Sequence, residues 1–303
     1  MYASKAHTIQ KQTGLMSKIV DYATFTKLRL ASLVVFSAVI SYFIGVKQLQ
    51  IDADWFRLGA LIVGGFLVTG SSNGFNQVIE RNWDKLMDRT SKRPLPQEKM
   101  SIAEGYIVAG IMGIAGVVIL YLFTNPLSAV LGLMALFLYV AVYTPMKRIS
   151  SFATFVGAFP GAIPPMLGWV AATDGFGFIG TPALLYFATQ FMWQFPHFWA
   201  IAWVMDDDYN KAGFRLLPSA GGRDKSSAFQ ILIYTISLLP VSLMPYLFRL
   251  CGPLSTLIVL LCGIAFIVQA FRLYRDCEIK SASRLMFGSF IYLPVVQLAY
   301  LFG

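Results

Sequence analysis

Charge is scarce in this chain. Asp, Glu, Lys and Arg together make up 13% of its 303 residues, and only 15 residues are acidic. With 57% hydrophobic residues and a mean hydropathy of +0.64, that composition excludes an ordinary soluble domain and reads as an integral membrane protein. Cysteine is nearly absent: Cys251, Cys262 and Cys277 stand at no metal-ligand spacing, so they read as packing residues rather than a zinc site or a disulfide framework. Histidine is rarer still, and His197 is the only one beyond the N-terminal tail. No secretory signal is expected, because residues 1–28 are polar and basic and the first apolar run, Leu30 to Ile44, passes into a polar loop.

What the chain does have is long apolar runs. Nine of them, at about 29–46, 58–79, 102–123, 126–144, 152–172, 182–205, 227–247, 253–273 and 284–302, meet the ~17–25 residues that a bilayer span requires. Backbone groups in lipid must be satisfied within the segment, so these runs predict an all-α, polytopic membrane protein of about nine helices around a central cavity open to the cytoplasmic side. The expected organisation is a cytoplasmic N-terminal tail, 1–28, and a single transmembrane domain, 29–303. Threading the spans alternately puts 21 of the 24 bases on the side of the N-terminus and leaves only Lys47, Arg57 and Arg249 opposite. The net charge of +9 therefore reports a cytoplasmic N-terminus and contact with membrane lipid, not nucleic acid. An N-terminal stretch without an Arg/Ser-rich transit segment favours a bacterial plasma (inner) membrane over a mitochondrial one.

The acids gather in two places on that same side: Glu80, Asp84 and Asp88 after the second run, and Asp206, Asp207 and Asp208 after the sixth. Four helices lie between them, so a parallel repeat of four-helix units would bring the clusters face to face. A four-residue step along a helix drifts by only ~40° while rising ~6 Å, which puts Asn76, Glu80 and Asp84 on one stripe. Asp88 has drifted ~120° and is the least secure rung. Carboxylates near hydrocarbon cost about 2.5–3.5 kcal/mol each unless they have a partner. The adjacent bases Arg81 and Lys85 lie ~100° away around the same helix and cannot easily neutralise the stripe. Mg²⁺ fits better, since it joins one or two carboxylates to substrate phosphates. Arg89, Lys92 and Arg93 would then hold the remaining phosphate charge. The plainer reading is a solvated helix end with locally balanced charges; the second acidic cluster argues against it. Downstream, Ser101 to Glu104 reads as a capping box, which makes Glu104 structural.

With these residues assembled, Asn76, Glu80 and Asp84, followed by Met87, Arg89, Thr90 and RPLP at 93–96, resemble the first signature of the UbiA-type intramembrane prenyltransferases. YTPMKRIS at 143–150, VGAFPGAIPPMLGW at 156–169, WQFPHFWAIAW at 193–203 and DYNKAGFRLLP at 208–218 are similar to the heme-farnesylating branch of that family. The resemblance runs from about Lys27 to the last helix. It implies an Mg²⁺-dependent transfer of the farnesyl group of farnesyl diphosphate to a vinyl group of heme B, with addition of water, giving heme O and diphosphate. It also implies heme A synthase or a terminal oxidase as a partner downstream. Asn76, Glu80, Asp84 and Asp208 are the implied metal ligands. In the second signature Met205 and Tyr209 hold the positions where quinone-type relatives have acids, which leaves Asp208 as the candidate.

Lys147 and Arg148 are further diphosphate candidates whose simpler role is orientation. Of the aromatic residues in 191–203, Trp193 among them, one or two are expected to line a prenyl tunnel and stabilise an allylic cation, the rest to pack. His197, beside Pro196, is read as a heme contact, either as iron ligand or as proton carrier; a hydrogen-bonded structural role is the alternative. Gly157 and Gly161 form a GxxxG pair suited to close helix packing. Three other readings compete. A transporter does not need paired acidic clusters beside Arg-rich loops. A structural subunit leaves the desolvated acids unexplained. A prenyltransferase for an aromatic quinone precursor would be expected to carry a complete second acidic signature.

Overall fold

The computed structural model describes residues 14–303, so the first part of the expected N-terminal tail, with Lys5 and Lys11, lies outside the described residues. Every regular element among the described residues is helical. A short α1 (Leu15–Phe25) precedes α2 (Leu28–Leu49), α3 (Trp55–Asp84) and α4 (Ile102–Phe123). The next long segment is composite: α5 (Pro126–Phe137), a π-helical turn (Leu138–Tyr143) and α6 (Thr144–Met146). Then come α7 (Ala153–Ala171), α8 (Thr181–Val204), the short α9 (Asp206–Lys211), α10 (Lys225–Leu247), α11 (Pro253–Asp276) and α12 (Ile279–Phe302).

Side-chain caps mark four of the helix starts. Asp54, Asn125 and Asp224 cap α3, α5 and α10 by accepting the backbone N–H three residues on, at 2.9, 2.8 and 2.7 Å. The capping box predicted at Ser101 and Glu104 is formed, and it starts α4 at the expected residue.

Eight of the long helical segments are apolar enough to cross a membrane. α8, with 24 residues and hence about 36 Å long, is the ninth and falls short only in hydropathy. Its polar residues explain why, because they bond inside the bundle. Pro165 has no N–H to offer the carbonyl of Gly161, and Gln190 of α8 donates to that carbonyl instead at 2.7 Å. Gln194 donates to the Ala158 carbonyl at 2.9 Å. Gln190 also joins Ser37 of α2 and Gln297 of α12 in a buried polar knot. Burial runs against hydropathy elsewhere too: α4 and α11, the most apolar, are among the least buried, and α7 is the most buried. The outer helices are therefore built for lipid contact and the inner ones for one another.

α8 packs on α7, α10 and α12; α2 packs on α7, α12 and α3, and α3 and α7 carry the contacts to α4 and α5. Gly157 and Gly161 do give close approach, although to side chains: their faces lie against the Tyr143 ring and the Gln194 amide. The tightest backbone contact is at Gly168, where an added Cβ would stand 2.0 Å from the Ala38 carbonyl of α2. At the other end of the bundle, Phe25 of α1 is fully buried with Val78, Leu95, Met100 and Ala109, which ties the N-terminal helix to α3 and α4. The three cysteines are half-buried, and Cys251, Cys262 and Cys277 all pack against the main core.

Candidate active site

The stripe at the end of α3 is buried as well as aligned. Asn76, Glu80 and Asp84 are 1%, 4% and 0% exposed. Each meets a base, and none of these bases comes from α3 itself. Lys27, at the start of α2, donates to Asn76 Oδ1 at 3.3 Å. Lys147, just past α6, forms a tight ion pair with Glu80. Arg93, in the loop after α3, places one guanidinium nitrogen 2.9 and 2.8 Å from the two Asp84 oxygens. Arg81 and Lys85 point elsewhere, to the Val78 carbonyl and to Glu98, as their angular offset requires. The geometric expectation about the adjacent bases therefore holds, while the acids are neutralised from three more distant points of the chain.

Burial and the like charges of Arg93 and Lys147 hold the Lys27 ammonium well below the usual lysine range. Lys147 goes the other way: burial opposes its charge, but Glu80 together with Tyr139 and Tyr209 outweighs burial and raises it. Lys147 also lies 5.0 Å from the centre of the Tyr143 ring and 5.8 Å from that of Phe214. The π-helical turn produces this arrangement. It carries Tyr139 and Tyr143 round towards the site and ends at Thr144, whose hydroxyl donates to the Tyr139 carbonyl at 2.8 Å. Asn76 in turn donates to Thr144 Oγ1 at 3.3 Å. Lys27, Tyr143 and Thr144 complete the site; only periodicity breaking down within residues 138–143 could have signalled the turn that places the last two.

The second acidic cluster does reach the first, by direct contact. Asp208, at the end of α9's first turn, accepts the backbone N–H groups of Asp88 and Arg89 at 2.7 and 3.3 Å. Lys211 bridges Asp88 and Asp208 at 2.5 and 3.4 Å. Burial works against the Asp208 carboxylate, but these N–H donors and Lys211 outweigh it and hold its pKa below the ordinary aspartate value. Asp206 and Asp207 are taken by Arg223 at 4.0 and 3.0 Å. The remaining candidate bases are exposed: Arg89 lies 5.8 Å from the Tyr209 ring centre and Arg148 lies 4.2 Å from that of Trp83. Lys92 is exposed with no side-chain partner among the described residues.

His197 and Trp193 make a separate node on α8. Their rings stack at 4.3 Å, and both bond to Ser289 of α12: the indole N–H to its carbonyl at 3.0 Å, and His197 Nδ1 to its hydroxyl at 2.7 Å. Phe290 closes edge-on to the imidazole at 4.9 Å. Phe187, Phe191 and Phe195 of α8 interlock with Phe155 and Phe159 of α7 in a continuous apolar wall.

Among the described residues no three His, Cys, Asp or Glu side chains converge on one point. The α3 stripe still suits a hard divalent cation, because it offers amide and carboxylate oxygens on one face, and the buried Glu80 Oε1 is met only by the Lys147 ammonium.

Residues 33–293 match the UbiA prenyltransferase family. Among similar proteins, a protoheme IX farnesyltransferase of Cytophaga hutchinsonii is 46% identical over 94% of this chain and 98% of its own length. Another, of Christiangramia forsetii, is 45% identical over 92% of each. Among solved structures the fold is similar to that of a digeranylgeranylglyceryl phosphate synthase, with a TM-score of 0.77 and 19% identity, covering 95% of this chain and 99% of that one. It is also similar to a UbiA homolog from Archaeoglobus fulgidus bound to GPP and Mg2+, with a TM-score of 0.67 and 14% identity, covering 92% of this chain and 99% of that one.

Proposed function

Because the chain belongs to the UbiA prenyltransferase family, we propose that it transfers the farnesyl group of farnesyl diphosphate to a vinyl group of heme B, with addition of water, giving heme O and diphosphate. The observation that carries this is the buried Asn76, Glu80 and Asp84 stripe ringed by Lys27, Lys147 and Arg93. That arrangement is suited to an allylic diphosphate: acids to hold a metal, and bases to receive the leaving group.

Asn76, Glu80 and Asp84 would hold Mg²⁺, which when bound supplies Lewis-acid neutralisation of the diphosphate oxygens. The chain's own bases do the rest. As diphosphate enters, Arg93 and Lys147 exchange their carboxylates for phosphate oxygens, and the new anion favours the ammonium form of Lys27 beside it. Asp208 acts at one remove, fixing the loop that presents Arg89 and Arg93; Lys92 and Arg148 contribute further exposed positive charge. When the allylic carbon–oxygen bond breaks, the electron pair leaves with diphosphate, and the farnesyl carbon bonds to the vinyl carbon of heme. Water adds to the resulting carbocation and loses a proton. Tyr143 and the phenylalanine wall of α7 and α8 offer ring faces to the cationic stage and exclude bulk water. His197 and Trp193 contact the porphyrin.

The protein acts as one transmembrane unit over residues 29–303 in a bacterial plasma membrane, with its N-terminus and active site on the cytoplasmic face; the excess of bases at that end supports this. Its product passes to heme A synthase or directly to a terminal oxidase. The test is to incubate membranes bearing the protein with heme B, farnesyl diphosphate and Mg²⁺ and to look for the heavier heme by mass spectrometry. Formation of heme O is expected. Absence of product, or prenylation of a hydroxybenzoate in its place, would overturn the assignment.

A further inference from the structure

Ser289 has one hydroxyl proton, and its geometry says where that proton goes. Its Oγ lies 2.5 Å from the carbonyl of Met286, one turn back along α12, and a carbonyl can only accept. The hydroxyl therefore donates to Met286. Toward His197 Nδ1, 2.7 Å away, the same oxygen can act only as acceptor, so the proton of a neutral imidazole sits on Nδ1. The lone pair is then on Nε2. The ring cannot turn away, because it is stacked on Trp193 at 4.3 Å and flanked by Phe290 at 4.9 Å. Trp193 is itself pinned by its indole N–H to the Ser289 carbonyl at 3.0 Å. One residue thus fixes the tautomer through its side chain and the stacking partner through its backbone.

We propose that Ser289 is a positioning residue for heme: it holds His197 as the Nδ1–H tautomer and presents the Nε2 lone pair to the iron of the porphyrin substrate. The proposal rests on the reading of His197 as a heme contact and adds which nitrogen makes that contact and what selects it. Metal-bound histidines commonly donate their second ring N–H to a carboxylate, carbonyl or water, which fixes the ring, and the Ser289 hydroxyl oxygen accepts in that position here. Without Ser289, the buried Nδ1–H has no acceptor and the proton favours Nε2, which blocks the iron-facing position.

The experiment measures heme B binding to the purified full-length protein by absorbance and resonance Raman spectroscopy, with metal-free protoporphyrin IX as a second probe. Ser289→Ala is expected to lose or shift the iron–histidine signature and to weaken heme B binding roughly 10–100-fold. Affinity for metal-free protoporphyrin IX and for farnesyl diphosphate should stay at the wild-type level. Ser289→Thr, which keeps the hydroxyl, should restore the signature. Ser289→Cys, close in shape but a weak acceptor, should behave like Ala and guards against loss through misfolding. Equal losses for heme B and metal-free porphyrin would mean a merely structural role and overturn the proposal. A signature abolished by His197→Gly but unchanged in Ser289→Ala and Ser289→Cys would overturn it while leaving the His197 reading intact. A signature unaffected by His197→Gly would overturn that reading, and the proposal with it.

Discussion

Removing Arg93 should expose how strongly the site depends on internal neutralisation. Asp84 is fully buried, and both its oxygens face a single Arg93 nitrogen at 2.8 and 2.9 Å, with the Arg93 side chain itself only 14% exposed. Arg93→Met keeps much of the packing and leaves a buried carboxylate without its partner. Breaking one side of a buried pair costs about 3–5 kcal/mol. At about 2 °C per kcal/mol for a chain of this size, that is roughly a 6–10 °C fall in melting temperature. Asp84→Asn removes the charge that has lost its partner, so the double variant should recover at least ~2 kcal/mol relative to Arg93→Met alone. Mg²⁺ should also stabilise Arg93→Met more than wild type, because Asp84 no longer has to be released by an arginine. The assay is thermal unfolding of the purified protein in detergent, with and without Mg²⁺. Arg93→Met as stable as wild type, or a double variant equal to the sum of its singles within about 0.5 kcal/mol, would refute the coupling.

Gly168→Ala should destabilise the bundle by about 1–3 kcal/mol, since its Cβ would meet the Ala38 backbone at 2.0 Å, whereas Gly110→Ala, with open space around it, should be neutral or slightly stabilising; detergent melting curves compare the two. The contact of Asp208 with the 88–89 backbone should be insensitive to pH over the physiological range. Its folded pKa lies below the ordinary 3.8, so the stabilisation is fully present above that value and is lost only as pH falls through the lower, folded one. Hydrogen exchange at the Asp88 and Arg89 amides should stay slow down to about pH 5 after correction for intrinsic rates; a transition at pH 6 would contradict the assignment.

Helix positions were legible because the bilayer demands long apolar runs and four of the starts carry side-chain caps. The 102–123 run coincides with α4, and its start is the Ser101 and Glu104 box. The Asn76, Glu80 and Asp84 face was legible from helical periodicity alone. Their partners were not, because pairing is a tertiary matter: Lys27, Arg93 and Lys147 come from before α2, after α3 and after α6. Position in sequence also gave no means of separating Arg93, which turns in to Asp84, from Lys92 beside it, which stays exposed. The π-helical turn was hidden for a different reason. Residues 138–143 are as apolar as the helix around them, and what distinguishes the turn is a shift of backbone register. α8 was legible as a long helix despite its low hydropathy because its aromatic and apolar residues extend over its whole length; the polar knot that lowers its hydropathy depends on partners in α2, α7 and α12.

Charge balance gives the site a further property. Glu80 with Lys147 and Asp84 with Arg93 are two neutral pairs, and Lys27 adds at most one positive charge beside Asn76. A divalent cation entering alone would leave this buried region with an excess of two or three positive charges. A prenyl diphosphate entering alone, at about −3 near neutral pH, would leave it with a comparable negative excess. Together they bring it to within about one charge of neutrality. Uncompensated charge in a low-dielectric pocket is expensive, so each substrate component should bind much better in the presence of the other. A coupling of 1–3 kcal/mol, about 5–150-fold in affinity, is the expected size. Titrating farnesyl diphosphate into the protein by calorimetry, with and without Mg²⁺, and Mn²⁺ with and without diphosphate by paramagnetic resonance, measures it from both sides. Because EDTA-treated protein should retain its fold through the internal pairs, its melting temperature should not fall. Independent binding of metal and diphosphate, or unfolding on metal removal, would show that the acids are not neutralised as their contacts with Lys147 and Arg93 indicate.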